Sequence, residues 1–141
     1  MKRLALLLVL LGAAGCDSSE STPSIDGEWS TVSTVTVDPG DGRAPYQETQ
    51  TTTYTFAVDG EDVTGTLTIK NESPGAVETV GPIPFTGAYE FPDLTIRFAA
   101  TGGAPAQTTE AEVNEVGTTI TVFTSAPGGA VRVPLYTLRR S

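Results

Sequence analysis

Apolar and polar residues alternate with a period of two along most of this chain, the spacing of a β-strand with one face buried and the other wet. The clearest case is "YTFAV": Tyr54, Phe56 and Val58 fall on one face, and Thr53, Thr55 and Ala57 on the other. After Asp59-Gly60-Glu61-Asp62, the apolar residues Val63, Leu67 and Ile69 alternate with Thr64, Thr66 and Thr68. The two runs predict a β-hairpin whose turn uses Gly60 at positive φ. The same pattern predicts a first strand over 28–37 and a long one over 77–91, broken at Pro82 and Pro84. Further strands are centred on Leu94, Ile96 and Phe98, on Thr109, Ala111 and Val113, and on Ile120 and Val122. A last strand over 131–139 contains Pro134, which predicts a bulge or an open side, because proline cannot donate to a ladder. Nowhere do apolar residues recur at three and four over a helix-length window.

About eight short strands joined in succession predict an all-β domain, an antiparallel up-and-down meander. Closure into a small barrel is the expected solution, because it removes the exposed edges that invite aggregation. An immunoglobulin-like sandwich is the alternative. Threonine dominates the outward positions. There are 23 threonines from Cys16 onward, and a β-branched side chain that tolerates water suits the wet face of such a sheet.

The N-terminus breaks the pattern. Met1-Lys2-Arg3 is cationic, Leu4 to Leu11 is an unbroken apolar run, and Gly12-Ala13-Ala14-Gly15 leads into Cys16, the only cysteine. The run is too short for a permanent membrane span and has the layout of a secretory signal peptide. Small residues leading into a cysteine resemble the lipobox of bacterial lipoproteins, with Ala13 where that family usually has Leu, Val or Ile. The resemblance implies cleavage after Gly15 and acyl chains on Cys16, which would hold the protein to a membrane of the cell envelope, the outer membrane being the expected one. The expected organisation is a signal peptide over 1–15, a lipidated cysteine with a flexible leash over 16–24, and one barrel domain over 25–141. The leash "DSSESTPS" holds nothing that could be buried and reaches about 25 Å when extended.

Charge and missing residues then narrow the chemistry. The full chain carries −9 at pH 7. Without Lys2 and Arg3, six basic residues face 17 acidic ones, so nucleic acid and anionic headgroups are not expected partners. No histidine occurs, which removes imidazole bases and the usual zinc sites. Carboxylates cluster at Asp38 and Asp41, at Asp59, Glu61 and Asp62, and at Glu110, Glu112 and Glu115. The first two groups belong to turns and the third to a wet stripe, so a solvated surface is the expected reading. No catalytic residue, metal or cofactor is expected, and the protein is not expected to be an enzyme.

"DGEWS" over 26–30 and "PLYTLRR" over 134–140 resemble the opening and closing strands of lipocalin-like, calycin-type barrels, and "VDGEDVTGTLTI" is similar to their second hairpin. In that family an arginine of the last strand lies over the tryptophan of the first. The resemblance therefore implies a barrel-closing pair of Trp29 with Arg139, with Arg140 as second choice. It also implies a small, mostly apolar ligand in the barrel mouth, lined by Tyr54, Phe56, Leu67, Phe85, Tyr89, Phe91 and Phe98. The competing expectation is that these aromatics simply fill the interior. The protein would then act through its acidic outer surface on another envelope protein, as a structural, adhesive or inhibitory partner.

Overall fold

The computed structural model describes residues 21–40, 42–125 and 132–141; the expected signal peptide and Cys16 lie outside them. Eight antiparallel strands follow one another: β1 (Gly27–Val37), β2 (Tyr46–Asp59), β3 (Asp62–Ser73), β4 (Ala76–Glu90), β5 (Asp93–Phe98), β6 (Gln107–Val113), β7 (Thr119–Ser125) and β8 (Arg132–Arg140). Each pairs with the next, and β8 returns to β1, closing the barrel. Closure rules out the sandwich alternative, and no helix occurs among the described residues.

Period-two alternation builds the core directly. Residues paired across an antiparallel ladder share a face, so the registers Trp29↔Tyr54, Tyr54↔Leu67 and Phe85↔Phe98 send these side chains inward together. Opposite them Val63, Leu94, Ile96, Ala111, Val113, Ile120, Val122 and Leu138 complete one buried cluster. Gly65 lies in register between Phe56 and Phe85. A Cβ there would collide with the Thr55 carbonyl and the Phe85 ring. Its bare backbone lets the two phenyl rings meet across β3, 5.5 Å apart.

The barrel is closed by thin seams at one end. β1 and β8 pair only at Trp29↔Arg140 and Ser30↔Arg139, and β6 and β7 only from Glu110 to Val113. Beyond these seams β1 to β4 run on together, 11, 14, 12 and 15 residues long against 6 to 9 for the remaining strands. The result is a four-stranded sheet that runs past the last β4–β5 pair, Phe85↔Phe98, with no β8 partner for Thr31–Val37 and no β5 partner for Ala76–Pro84. Its two faces are both wet. Val35 and Val80 on the face continuous with the core, and Val32 and Val77 on the other, are 41 to 64 % exposed.

Two local expectations change and one is met. The long strand is not broken by Pro82 and Pro84: Pro82 falls in a register shift between Leu67 and Ile69, where a bulge absorbs its missing donor, and Pro84 keeps its register with Thr66. Pro134 does sit at a register shift of β7 against β8. The leash is shorter than expected, because residues 21–24 belong partly to the domain. Tyr89 donates its hydroxyl to the Pro23 carbonyl at 2.8 Å, Arg140 donates to the Ser24 carbonyl at 2.8 Å, and Ile25 is fully buried. The apolar Pro23 and Ile25 plug the closed end, and the carbonyls between them find donors.

Candidate functional site

The seven residues expected to line a ligand site divide into three groups. Tyr54, Phe56 and Phe85 are buried in the middle of the barrel, with Leu67 and Phe98 packed against them. Their rings touch one another: Tyr54 stacks on Phe56 at 5.7 Å, Phe85 meets Tyr54 at 5.9 Å, and Phe98 meets Phe85 edge-on at 5.7 Å. Offset and edge-on contacts at these separations are the favourable geometries for aromatic side chains. Tyr89 is buried at the closed end instead, under Pro23. Phe91 stands in the β4–β5 turn, exposed, and with Tyr89 it borders the cleft at that end. Alternation stops at Glu90, where the strand ends, so parity no longer turns its side chain inward.

One polar contact crosses this interior. The Tyr54 and Tyr136 hydroxyls lie 2.7 Å apart, joining β2 to β8. Burial pushes the Tyr54 phenol far above its ordinary value, and the neighbouring Tyr136 pushes it further. Burial raises Tyr136 as well. Both phenols are therefore neutral at any physiological pH, and the pair braces β2 against β8.

The closing pair is Trp29 with Arg140, not Arg139. The Arg140 guanidinium carbon stands 4.9 Å from the centre of the indole ring, and the indole Nε1 donates to the Ile25 carbonyl at 2.8 Å. Register explains the choice. Arg140 is the direct partner of Trp29 and shares its face, whereas Arg139 pairs with Ser30 and points the other way. Counting outward from the inward-facing Tyr136 and Leu138 in steps of two reaches 140, so the parity of "YTLRR" already carried the answer.

On the outside, the wet stripe of β6 is less bare than its sequence implies. Arg132 of β8 reaches across β7 to Glu112 at 2.7 Å and Glu110 at 3.1 Å, with Asp93 of β5 at 3.8 Å, and lies over the Phe123 ring at 4.6 Å. These carboxylates are organised around one cation that ties the last hairpin to β5 and β6. Asp93, Glu110 and Arg132 together line a cleft of about 270 Å³. Of the other acidic clusters, Asp38 accepts from the Gly40 N–H at 3.0 Å, Asp41 lies outside the described residues, and Asp59 and Asp62 pair at the β2–β3 turn.

Clefts open on the outside of the barrel. The β6–β7 gap beyond Glu110 and Phe123 forms one of about 570 Å³, with Gln107, Thr109, Leu135 and Tyr136 in its walls. Another, about 450 Å³, lies at the closed end beside Pro23, Ile25 and Tyr89. No family model, curated protein or solved structure matches this chain. The architecture, a small eight-stranded up-and-down barrel, is compatible with a lipocalin-like module.

Residues that reasoning from sequence passed over are Gly65, Tyr136, Arg132 and Ile25. The first two carry a readable signal, since each lies on the inward parity of its strand. Arg132 acts through partners on β5 and β6, and Ile25, ahead of the first strand, through the Trp29 indole; strand parity marks neither.

Proposed function

We propose that this protein is a lipid-anchored, non-catalytic bacterial envelope module that binds another envelope protein through its outer surface, the projecting sheet foremost. The observation that carries this reading is the contact of Tyr54, Phe56, Phe85 and Phe98 ring to ring in the middle of the barrel. A barrel mouth that holds a ligand keeps its aromatics apart around a few hundred cubic ångströms of open space. Here the same residues hold each other, and the open space beside Phe85 and Phe98 is a cleft of about 360 Å³ bordered by Pro84, Arg97 and Ala106. Four wet valines on two faces of a protruding sheet then stand without a packing role, and surplus exposed apolar area marks interaction surfaces. The net charge of −9 favours a basic target and steers its approach.

Native mass spectrometry of the protein extracted from its membrane tests both parts. The expected spectrum shows acyl chains on Cys16 and no small ligand at unit stoichiometry. An unmodified thiol at position 16 overturns the anchor, and an apolar molecule bound one to one overturns the surface reading. Site-specific photo-cross-linkers on the projecting sheet then locate the partner, which is expected to attach at residues 31–37 or 76–80 and not at the closed end.

A further inference from the structure

We infer that the outer edge of β1, from Val32 to Thr36, is a docking edge that takes an extended, β-branched segment of another protein carrying Lys or Arg. This rests on the reading that the projecting sheet is the working surface, and it names the edge and the class of partner.

Backbone parity comes first. The Glu28 carbonyl accepts from the Ser141 N–H at 3.1 Å, so the even-numbered residues of β1 turn their backbone groups away from β2 and toward β8. That pairing stops after Ser30↔Arg139. The N–H and C=O groups of Val32, Thr34 and Thr36 therefore lie along an edge with no ladder partner among the described residues. A row of unpaired strand groups is a template for strand addition.

The projecting sheet has a second free edge, and the contrast between the two is informative. On β4 the stretch 76–84 also runs without a partner on its β5 side, but it carries Glu78, Pro82, Pro84 and a bulge. Those are the devices by which a natural edge resists pairing. β1 has none of them between Ser30 and Val37: "STVSTVTV" contains no proline, no glycine and no charge. One edge is guarded and the other is open.

Charge selects the occupant. Residues 31–38 and 46–52, the two strands nearest this edge, contain Asp38 and Glu48 and no cation. Glu48 is the register partner of Val35, on the same face. An incoming strand would lay one side chain beside Val35 with the Glu48 carboxylate one strand further on, within reach of a long basic side chain. A second copy of this chain would bring the same carboxylates and the same net charge of −9, so like charges would meet across the new ladder. A basic partner removes that conflict.

The test uses the full chain, isotopically labelled, in detergent micelles. The probe is a synthetic peptide of about ten residues, alternating Val and Thr with an Arg at each end. The expected result is slowed hydrogen exchange at the amides of Val32, Thr34 and Thr36, with those of Ser33 and Val35, and of 77–80 on β4, unchanged. A peptide ending in Glu should not bind. Thr34→Pro removes an outward N–H and leaves the β2 ladder intact, so it should weaken binding by about tenfold or more with Trp29 fluorescence unchanged. A probe N-methylated at alternate residues should fail against the unaltered chain, a result that does not depend on how any variant folds. Protection on β4, no protection anywhere, or an N-methylated peptide that binds as well as the parent overturns the inference. So does protection of the same three amides without peptide as the chain dimerises, which would make a second copy the occupant. If the peptide fails while cross-links to an envelope partner still map to the projecting sheet, the edge is wrong and the functional reading stands. If those cross-links map to the closed end, that reading fails as well.

Discussion

At the scale of single residues, two contacts carry more than their neighbours. Arg140 covers the indole of Trp29 and holds the Ser24 carbonyl, whereas Arg139 points into solvent from the opposite face. Arg140→Ala is expected to lower stability by about 1–2 kcal/mol, from a lost cation–π contact and an unpaired carbonyl. Arg139→Ala should stay within about 0.5 kcal/mol; urea titrations followed by Trp29 fluorescence separate the two. Gly65 is the second case. Gly65→Val puts two methyl groups where the Phe85 ring and the Thr55 carbonyl already are. It should cost about 1–3 kcal/mol or more and disturb the near-ultraviolet circular dichroism of the packed aromatics. Both residues answer to parity, which is why their roles can be read by counting along a strand.

At the scale of elements, the hairpin β7–β8 is joined to the rest by two short ladders, by its share of the core with the Tyr54–Tyr136 and Trp29–Arg140 contacts, and on the outside by Arg132. The ion pairs of Arg132 are exposed, and each contributes little on its own; three carboxylates and a ring around one guanidinium make a network. Arg132→Ala is expected to cost about 1 kcal/mol, with the effect shrinking at high salt. Its signature should be local, as faster amide exchange over 121–125 and 132–136 while β2 and β3 keep their protection. The sequence pattern located the strands well, because alternation reports which face of each is buried. It did not report that β4 runs through Pro82 and Pro84, since a bulge is a property of the pairing and not of the strand alone. Nor could it show Phe91 outside: the residue keeps the parity of Tyr89, but the strand ends between them.

At the scale of the whole molecule, the buried phenols set how the barrel meets alkaline conditions. Tyr54, Tyr89 and Tyr136 all titrate above their ordinary value of 10.0 in the folded state, each through burial, with Tyr136 adding to the shift at Tyr54. The unfolded chain releases these protons near pH 10 and the folded chain retains them. Their contribution is therefore complete below about pH 10 and is lost as pH rises beyond it. Urea midpoints should be flat from neutral pH to about 10 and then fall. Tyrosinate absorbance should rise together with unfolding, not before it, for the buried part of the signal. Tyr136→Phe leaves the Tyr54 hydroxyl without its partner and should cost about 1–2 kcal/mol at neutral pH. Closure itself was legible, since a meander of alternating strands has few other ways to hide its edges; the short β1–β8 seam, which leaves one edge open, was not. The docked segment around Pro23 and Ser24 has a bearing on orientation. With those residues fastened to the closed end, the proposed mooring at Cys16 is left with about six spanning residues, a standoff of roughly 20 Å at most. On the proposed anchor, the plugged end would lie within that distance of the bilayer and the long sheet would extend from the opposite end.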